Sequence, residues 1–168
     1  MKLHLHTDRL DIRPLSAQDA AFIFELLNTE EWKAFIGNRN INTIADAEAY
    51  IQRIVNNTTL QYWVAVLKED GSTVGAVTFI KRDYLEHPDI GFAFLPRYFK
   101  KGYAHEATKA VLDSIKDSGE QTKMLGVTMQ ANTSSIQLLE RLGLSYQHDI
   151  DMDGETLRLY AIDMTDSI

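Results

Sequence analysis

A run of cations and one glycine lies where a strand pattern gives way to a helix pattern. Arg97, Lys100 and Lys101 supply positive charge, and Gly102 has no side chain to keep a ligand from the backbone. A helix that begins just after Gly102 directs free backbone N–H groups and the positive end of its dipole at the same point. This combination favours an anion and predicts a phosphate or pyrophosphate site.

The segments on either side of this turn have different periodicities. Ile90, Phe92 and Phe94 alternate with small residues, which indicates a strand with one bulky face. The small residues, Gly91 and Ala93, let a ligand approach the other face closely. After the turn the apolar residues take helical spacing, at Ala104, Ala107, Val111 and Ile115.

Neither the P-loop pattern Gly-x-x-x-x-Gly-Lys-Ser/Thr nor the dinucleotide pattern Gly-x-Gly-x-x-Gly occurs in the chain. The stretch resembles the acetyl-CoA signature of the GNAT N-acetyltransferase superfamily, in which Ile-Gly-Phe and Leu-Pro precede Gln/Arg-x-x-Gly-x-Gly/Ala and a helix. Here the six-residue core reads Phe-Lys-Lys-Gly-Tyr-Ala. Phe99 at its first position is similar to the aromatic variant of the branch that contains ribosomal-protein N-terminal acetyltransferases. Lys100 stands where that branch often has a second glycine.

The resemblance implies that acetyl-CoA is the co-substrate and that a defined set of residues holds it. These residues are Phe94, Leu95, Phe99, Lys100, Lys101, Gly102, Tyr103, Ala104 and Asn132.

Asn132 begins a segment that resembles the second motif of the family, Asn-x-x-Ser/Ala followed by Leu-Tyr/Leu-Glu-Lys-x-Gly-Phe. The resemblance implies that Asn132 bonds the pantetheine arm, while its type and position also fit a helix N-cap. Many relatives have a tyrosine that protonates the CoA thiolate, but the matching residue here is Leu139. Ser135 matches the serine proposed for that role in the ribosomal branch, and it fits a first-turn helix residue equally well.

Acetylation of an amine requires that the amine lose a proton before it attacks the thioester. Glu86 is our candidate base, acting through water, with His87 beside it. His148, Asp149 and Asp151 near the last hairpin are alternatives, and all of these fit solvated loop residues as well.

Residues 28–42 form a long predicted connection that contains Trp32 and Phe35. In the resembled family this segment borders the acceptor side of the cleft, so the two aromatic residues are candidates for substrate binding. The alternative is that they cap the core beneath a loop, because large aromatic side chains are usually buried.

The composition limits the function classes. The chain has 168 residues, 45% of them hydrophobic, and a net charge of −7, so nucleic acid is a poor partner. Without cysteine there is no thiol nucleophile and no disulfide.

His4 and His6 alternate without a suitably spaced third ligand, and we predict no metal. The alternating start argues against a signal peptide and no apolar run reaches membrane length, so we expect a cytoplasmic protein without a membrane partner.

The order of elements predicts an α+β fold, with a mixed, mostly antiparallel sheet of about six to seven strands and helices on both faces. Residues 1–168 are expected to form one GNAT-like domain. Capping boxes at Ser16 and Thr43 begin the first two helices. A strand–helix–strand crossover joins the turn at 97–102, the cation turn, to the strand at 123–129. The remaining predicted strands are 3–13, 62–67, 74–81, 144–152 and 155–164, with hairpin turns at Asp70-Gly71 and Asp153-Gly154.

These observations predict an enzyme that transfers an acetyl group from acetyl-CoA to a primary amine by direct attack in a ternary complex. The branch resemblance favours a protein N-terminal α-amino group as acceptor. A small amine such as a polyamine, an amino acid or an aminoglycoside stays open, as does a non-catalytic acyl-CoA-binding module. A monomer and a homodimer are both compatible with the sequence.

Overall fold

The computed structural model describes residues 3–165, and this part of the chain contains eight strands and five α-helices. The strands are β1 (Leu5–His6), β2 (Leu10–Pro14), β3 (Leu60–Leu67), β4 (Thr73–Ile80), β5 (Asp89–Phe94), β6 (Lys123–Met129), β7 (Ser145–Met152) and β8 (Glu155–Asp163). The helices are α1 (Ala20–Leu27), α2 (Glu30–Phe35), α3 (Ile44–Asn56), α4 (Tyr103–Ser118) and α5 (Thr133–Arg141).

The strands form one sheet in the order β1-β2-β3-β4-β5-β6-β8-β7, and only β5 and β6 pair in parallel within the described residues. The predicted fold class is confirmed. The strand count exceeds the expected six to seven because the first predicted strand is a hairpin. The Thr7 backbone N–H donates to the Leu10 carbonyl at 2.9 Å, and Leu5 then pairs with Ile12.

The sheet has a hydrophobic core on each face, because successive strand residues point to opposite sides. On β3, Trp63 and Ala65 pack in the core that contains α4 and α5. Val64, between them, packs in the core that contains α1, α2 and α3. Helices therefore cover both faces, as the order of elements predicted.

The predicted connection at 28–42 contains the short helix α2. Thr29 is its N-cap and accepts a hydrogen bond from the Trp32 backbone N–H at 3.2 Å, while Glu30 and Glu31 lie in the first turn. A helix of six residues is too short to show a helical period of hydrophobic residues, so the Thr29 cap is the sequence feature that indicates α2. The predicted capping box at Thr43 is present, with reciprocal bonds to Asp46 of 3.0 and 3.1 Å.

Candidate functional site

The site lies between the two parallel strands. β5 and β6 pair at Asp89 and Leu125, where the Leu125 backbone N–H donates to the Pro88 carbonyl at 2.9 Å. Within residues 3–165 no further pair joins these strands, so backbone groups along the free edge of β5 face a cleft. The crossover through α4 places the N-terminus of that helix at the same end of the sheet.

Two adjoining cavities occupy this cleft, with volumes of about 550 Å³ and 430 Å³. The smaller one lies against the loop before α4, and the larger one lies between α3, β3, β4 and β5. The residues that line both are Trp32, Phe35, Ile36, Phe92, Ala93, Asn132 and Ser135. The two cavities therefore meet at the start of α5.

The loop before α4 forms one wall of the smaller cavity. Gly102 has a φ of +83° and α4 begins directly after it. Lys100 has a φ of +62°, so it holds the left-handed conformation that glycine adopts more easily. The earliest intrahelical bond runs from the Glu106 N–H to the Gly102 carbonyl, 3.0 Å, which leaves the preceding N–H groups without a helical partner.

Most of the predicted CoA residues line the smaller cavity: Phe94, Phe99, Lys100, Gly102, Tyr103, Ala104 and Asn132. Leu95 does not, because its side chain is buried in the core below α1 and α3. The exposed Lys101 also lies outside the lining. Arg97, expected to add charge here, pairs with Glu25 and lines neither cavity.

Arg9 supports this loop from the opposite side, a contact the sequence did not predict. Its Nη1 donates to the Lys101 carbonyl at 2.8 Å, and its guanidinium lies 4.4 Å from the centre of the Tyr103 ring. A Cβ added at Gly102 would lie 3.2 Å from Arg9 Nη2. The loop is therefore packed on one side and open to the cavity on the other.

Asn132 and Ser135 lie where the two cavities meet. Asn132 is the N-cap of α5, and its Oδ1 accepts a hydrogen bond from the Ser135 backbone N–H at 3.2 Å. The cap predicted from the sequence is confirmed. The Ser135 side chain is half-buried, and its hydroxyl forms no hydrogen bond with another residue of the described range 3–165.

Trp32 and Phe35 line both cavities from α2. Trp32 is 8% exposed and also packs in the core with α1 and α3. The two alternatives predicted for Trp32, a wall of the cleft and a part of the core, therefore both apply to it.

The larger cavity contains an ion pair that the sequence did not single out. Asp89 is 3% exposed and its Oδ2 accepts a hydrogen bond from Arg82 Nε at 2.6 Å. Burial raises the pKa of Asp89, and the neighbouring Arg82 reduces that rise. Among the described residues that line this cavity, Asp89 alone carries a carboxylate.

Comparison with known proteins identifies the fold. The sequence model of the acetyltransferase (GNAT) domain matches residues 9–145. The chain belongs to the GNAT acetyltransferase family. It is an acetyl-CoA-dependent N-acetyltransferase, as the two motifs predicted.

Three similar proteins match most of this chain. YkkB of Bacillus subtilis strain 168 is 25% identical over 163 residues, 95% of each chain. YnaD, an N-acetyltransferase of the same organism, is 25% identical over 143 residues, covering 84% of this chain and 82% of YnaD. The crystal structure of a GNAT-family acetyltransferase from Bacillus anthracis superposes with a TM-score of 0.82 at 23% identity, covering 96% of this chain and 99% of that one.

Some of the residues considered from the sequence lie outside the GNAT cleft. Glu86 is exposed and lines neither cavity. His148, Asp149 and Asp151 are likewise exposed on β7 and line neither. Leu139, at the position of the family tyrosine, differs from these residues because it lines the larger cavity, although it is only 2% exposed and packs against Gly126. Asp89 therefore has the position in the cleft that Glu86 lacks.

Residues 3–165 contain neither a membrane-spanning helix nor a metal-binding cluster. No helix in this range is long and apolar enough to cross a membrane. No cluster of three or more histidine or acidic side chains in the same range is arranged to hold a metal ion.

Proposed function

We propose that this GNAT enzyme acetylates the α-amino group at the N-terminus of a peptide or protein chain. The observation that carries the proposal is the junction of the two cavities at Ser135. An acyl group entering from the smaller cavity and an amine entering from the larger one would meet there. Direct attack needs this arrangement, and the lack of cysteine agrees with a reaction that has no thiol acyl-enzyme.

The smaller cavity has the features that a CoA pyrophosphate requires. Lys100 lies in its wall, and the free N–H groups at the start of α4 add the positive end of the helix dipole. Gly102 leaves the backbone accessible on the cavity side. Solved structures of this fold include two complexes with coenzyme A.

The fold alone does not select the acceptor. Proteins with this fold include a ribosomal-protein-S5-alanine acetyltransferase, a spermidine N-acetyltransferase chimera and an aminoglycoside acetyltransferase. Support for a peptide comes from the larger cavity, which runs from Ser135 to the exposed Arg39 and Arg53 at its mouth. Its volume of about 550 Å³ accommodates the first residues of an extended chain.

Asp89 in the larger cavity and Ser135 at the junction supply the proton transfers. Asp89 accepts the proton of the incoming ammonium group through water, since its raised pKa suits a base better than that of an ordinary aspartate. Backbone N–H groups on the free edge of β5 stabilise the negative charge that develops on the acetyl oxygen. As the C–S bond breaks, Ser135 donates its hydroxyl proton to the departing thiolate and regains a proton from the nitrogen of the tetrahedral intermediate. Acetyl-CoA supplies the thioester that makes the transfer favourable.

Thiol release from acetyl-CoA, measured against a panel of amines, tests the proposal. The panel contains short peptides with free N-termini, the same peptides with blocked N-termini, spermidine, free amino acids and an aminoglycoside. We expect turnover with free N-terminal peptides and none with blocked ones. Faster turnover of spermidine or the aminoglycoside would exclude the peptide acceptor, and CoA binding without turnover on any amine would indicate a non-catalytic module.

A further inference from the structure

The larger cavity is positively charged although the protein is acidic. Within residues 3–165 the charged residues that line it are Arg39, Arg53, Arg82 and Asp89. Three guanidinium groups face one carboxylate there, while the whole chain carries a net charge of −7. A concave surface whose sign opposes that of the whole molecule concentrates ligands of the opposite charge.

The positive charges of Arg39 and Arg53 are not neutralised by an ion pair among the described residues. Asp89 pairs with Arg82, whereas neither Arg39 nor Arg53 has a carboxylate within 4.0 Å among the described residues. Arg53 lies over the Tyr50 ring at 5.8 Å from its centre. Both arginines are exposed at the cavity mouth, so their guanidinium groups can reach a ligand.

Two tyrosines form the cavity wall behind these arginines. Tyr50 and Tyr62 are partly buried, their hydroxyls interact with each other, and burial raises the pKa of both. They remain neutral hydrogen-bonding groups, so they do not reduce the positive charge of the cavity. Arg39 is close enough to act electrostatically on both hydroxyls.

We infer that the enzyme selects acceptors in which the reactive amine is accompanied by a carboxylate, namely peptide N-termini with acidic residues at positions two and three. The inference rests on the proposed peptide acceptor. The amine reaches Ser135 while the carboxylates bind Arg39 and Arg53, whose planar guanidinium groups match carboxylate geometry. Polycationic amines such as spermidine are repelled by the same arginines.

The test compares three peptides that differ only in residues two and three: Ala-Asp-Glu, Ala-Asn-Gln and Ala-Lys-Arg, each with the same neutral extension. We expect kcat/KM to fall from the acidic through the neutral to the basic peptide, with roughly tenfold between the first two at low salt. In the Arg39→Gln/Arg53→Gln variant this ratio should approach one. Lys33→Gln removes one cation from α2 outside both cavities and should keep the ratio.

The outcomes separate this inference from the proposed function. Acetylation of all three peptides at equal rates, or a preference that survives the double variant, overturns the acidic selection and leaves the peptide acceptor in place. Acetylation of free aspartate and glutamate but of no peptide, with a rate that falls in the double variant, supports the carboxylate selection and overturns the peptide acceptor. Efficient acetylation of spermidine alone, or of no amine, overturns both.

Discussion

Arg9 and Glu106 form an ion pair that fastens the first hairpin to helix α4. Arg9 Nε donates to Glu106 Oε1 at 2.8 Å, and the Arg9 backbone N–H donates to Oε2 at 3.1 Å. Thr7 Oγ1 donates to the same Oε2 at 2.5 Å. Because Arg9 also bonds the Lys101 carbonyl, the pair holds the loop on both sides of Gly102.

Glu106→Gln should lower the free energy of unfolding by about 1–2 kcal/mol, because an uncharged glutamine accepts weaker hydrogen bonds from Thr7 and Arg9 than the carboxylate does. Urea unfolding measures the change. Lys109→Gln is the matched control on the same helix, since the Lys109–Asp113 pair is more than half exposed on both sides. We expect that variant to stay within about 0.5 kcal/mol of the native protein. Equal losses in the two variants would contradict a structural role for the Glu106 pair.

The Glu106 carboxylate should also make stability depend on pH. Partial burial raises its pKa, but hydrogen bonds from Thr7 and Arg9 outweigh burial and lower the pKa below its ordinary value of 4.5. The resulting stabilisation is complete above that value and is lost as the pH falls through the folded-state pKa. The difference in unfolding free energy between native protein and Glu106→Gln should therefore shrink on acidification. A difference that is constant from neutral to acid pH would rule out this origin.

Gly102→Glu should abolish CoA binding measured by isothermal titration calorimetry. The new side chain adds a negative charge beside the expected phosphates and a Cβ 3.2 Å from Arg9 Nη2. Gly71→Glu is the control, because Gly71 also has a positive φ, +75°, but lies in the β3–β4 hairpin with open space around it. Both variants should lose about 1–2 kcal/mol of stability from the left-handed conformation. If folded Gly102→Glu bound CoA normally, the phosphate site would have to be elsewhere.

Ser135→Ala should lower kcat by roughly 10- to 100-fold with little change in KM, because water can replace part of the lost proton donation. Steady-state kinetics on an accepted peptide measures both parameters. Thr133→Ala, in the same helical turn but outside both cavities, should retain native kinetics. Similar kcat values in Ser135→Ala and the native enzyme would assign thiolate protonation to water alone.

Asp89→Asn should lower kcat by roughly 10- to 100-fold and remove the acid limb of the pH–rate profile. In the native enzyme the rate should fall as the pH drops through the raised pKa of Asp89, since the protonated form cannot accept a proton. Asp89→Glu, which restores a carboxylate, should recover part of the rate. Asp149→Asn, on exposed β7, should change neither kcat nor the acid limb of the pH–rate profile. An acid limb that persists in folded Asp89→Asn would point to another base.

The loop before α4 was predictable because its parts are neighbours in the sequence. The strand, the cation turn and the start of α4 follow one another from Asp89 to Tyr103, and their geometry depends on backbone rules that act over a few residues. The same holds for the caps at Thr43 and Asn132 and for the closing hairpin. Asp153 and Gly154 both have positive φ there, as a two-residue Asp-Gly turn requires.

The larger cavity depends on residues that only the tertiary structure brings together. Arg39, Arg53 and Asp89 come from a loop, a helix and a strand, and each is individually an ordinary charged residue in the sequence. Hydrophobic periodicity shows which face of an element is buried but not which elements meet across a cleft. The sequence therefore determined the fold class and the geometry of the loop before α4, while long-range packing decided which carboxylate lines the larger cavity and gave that cavity its positive charge.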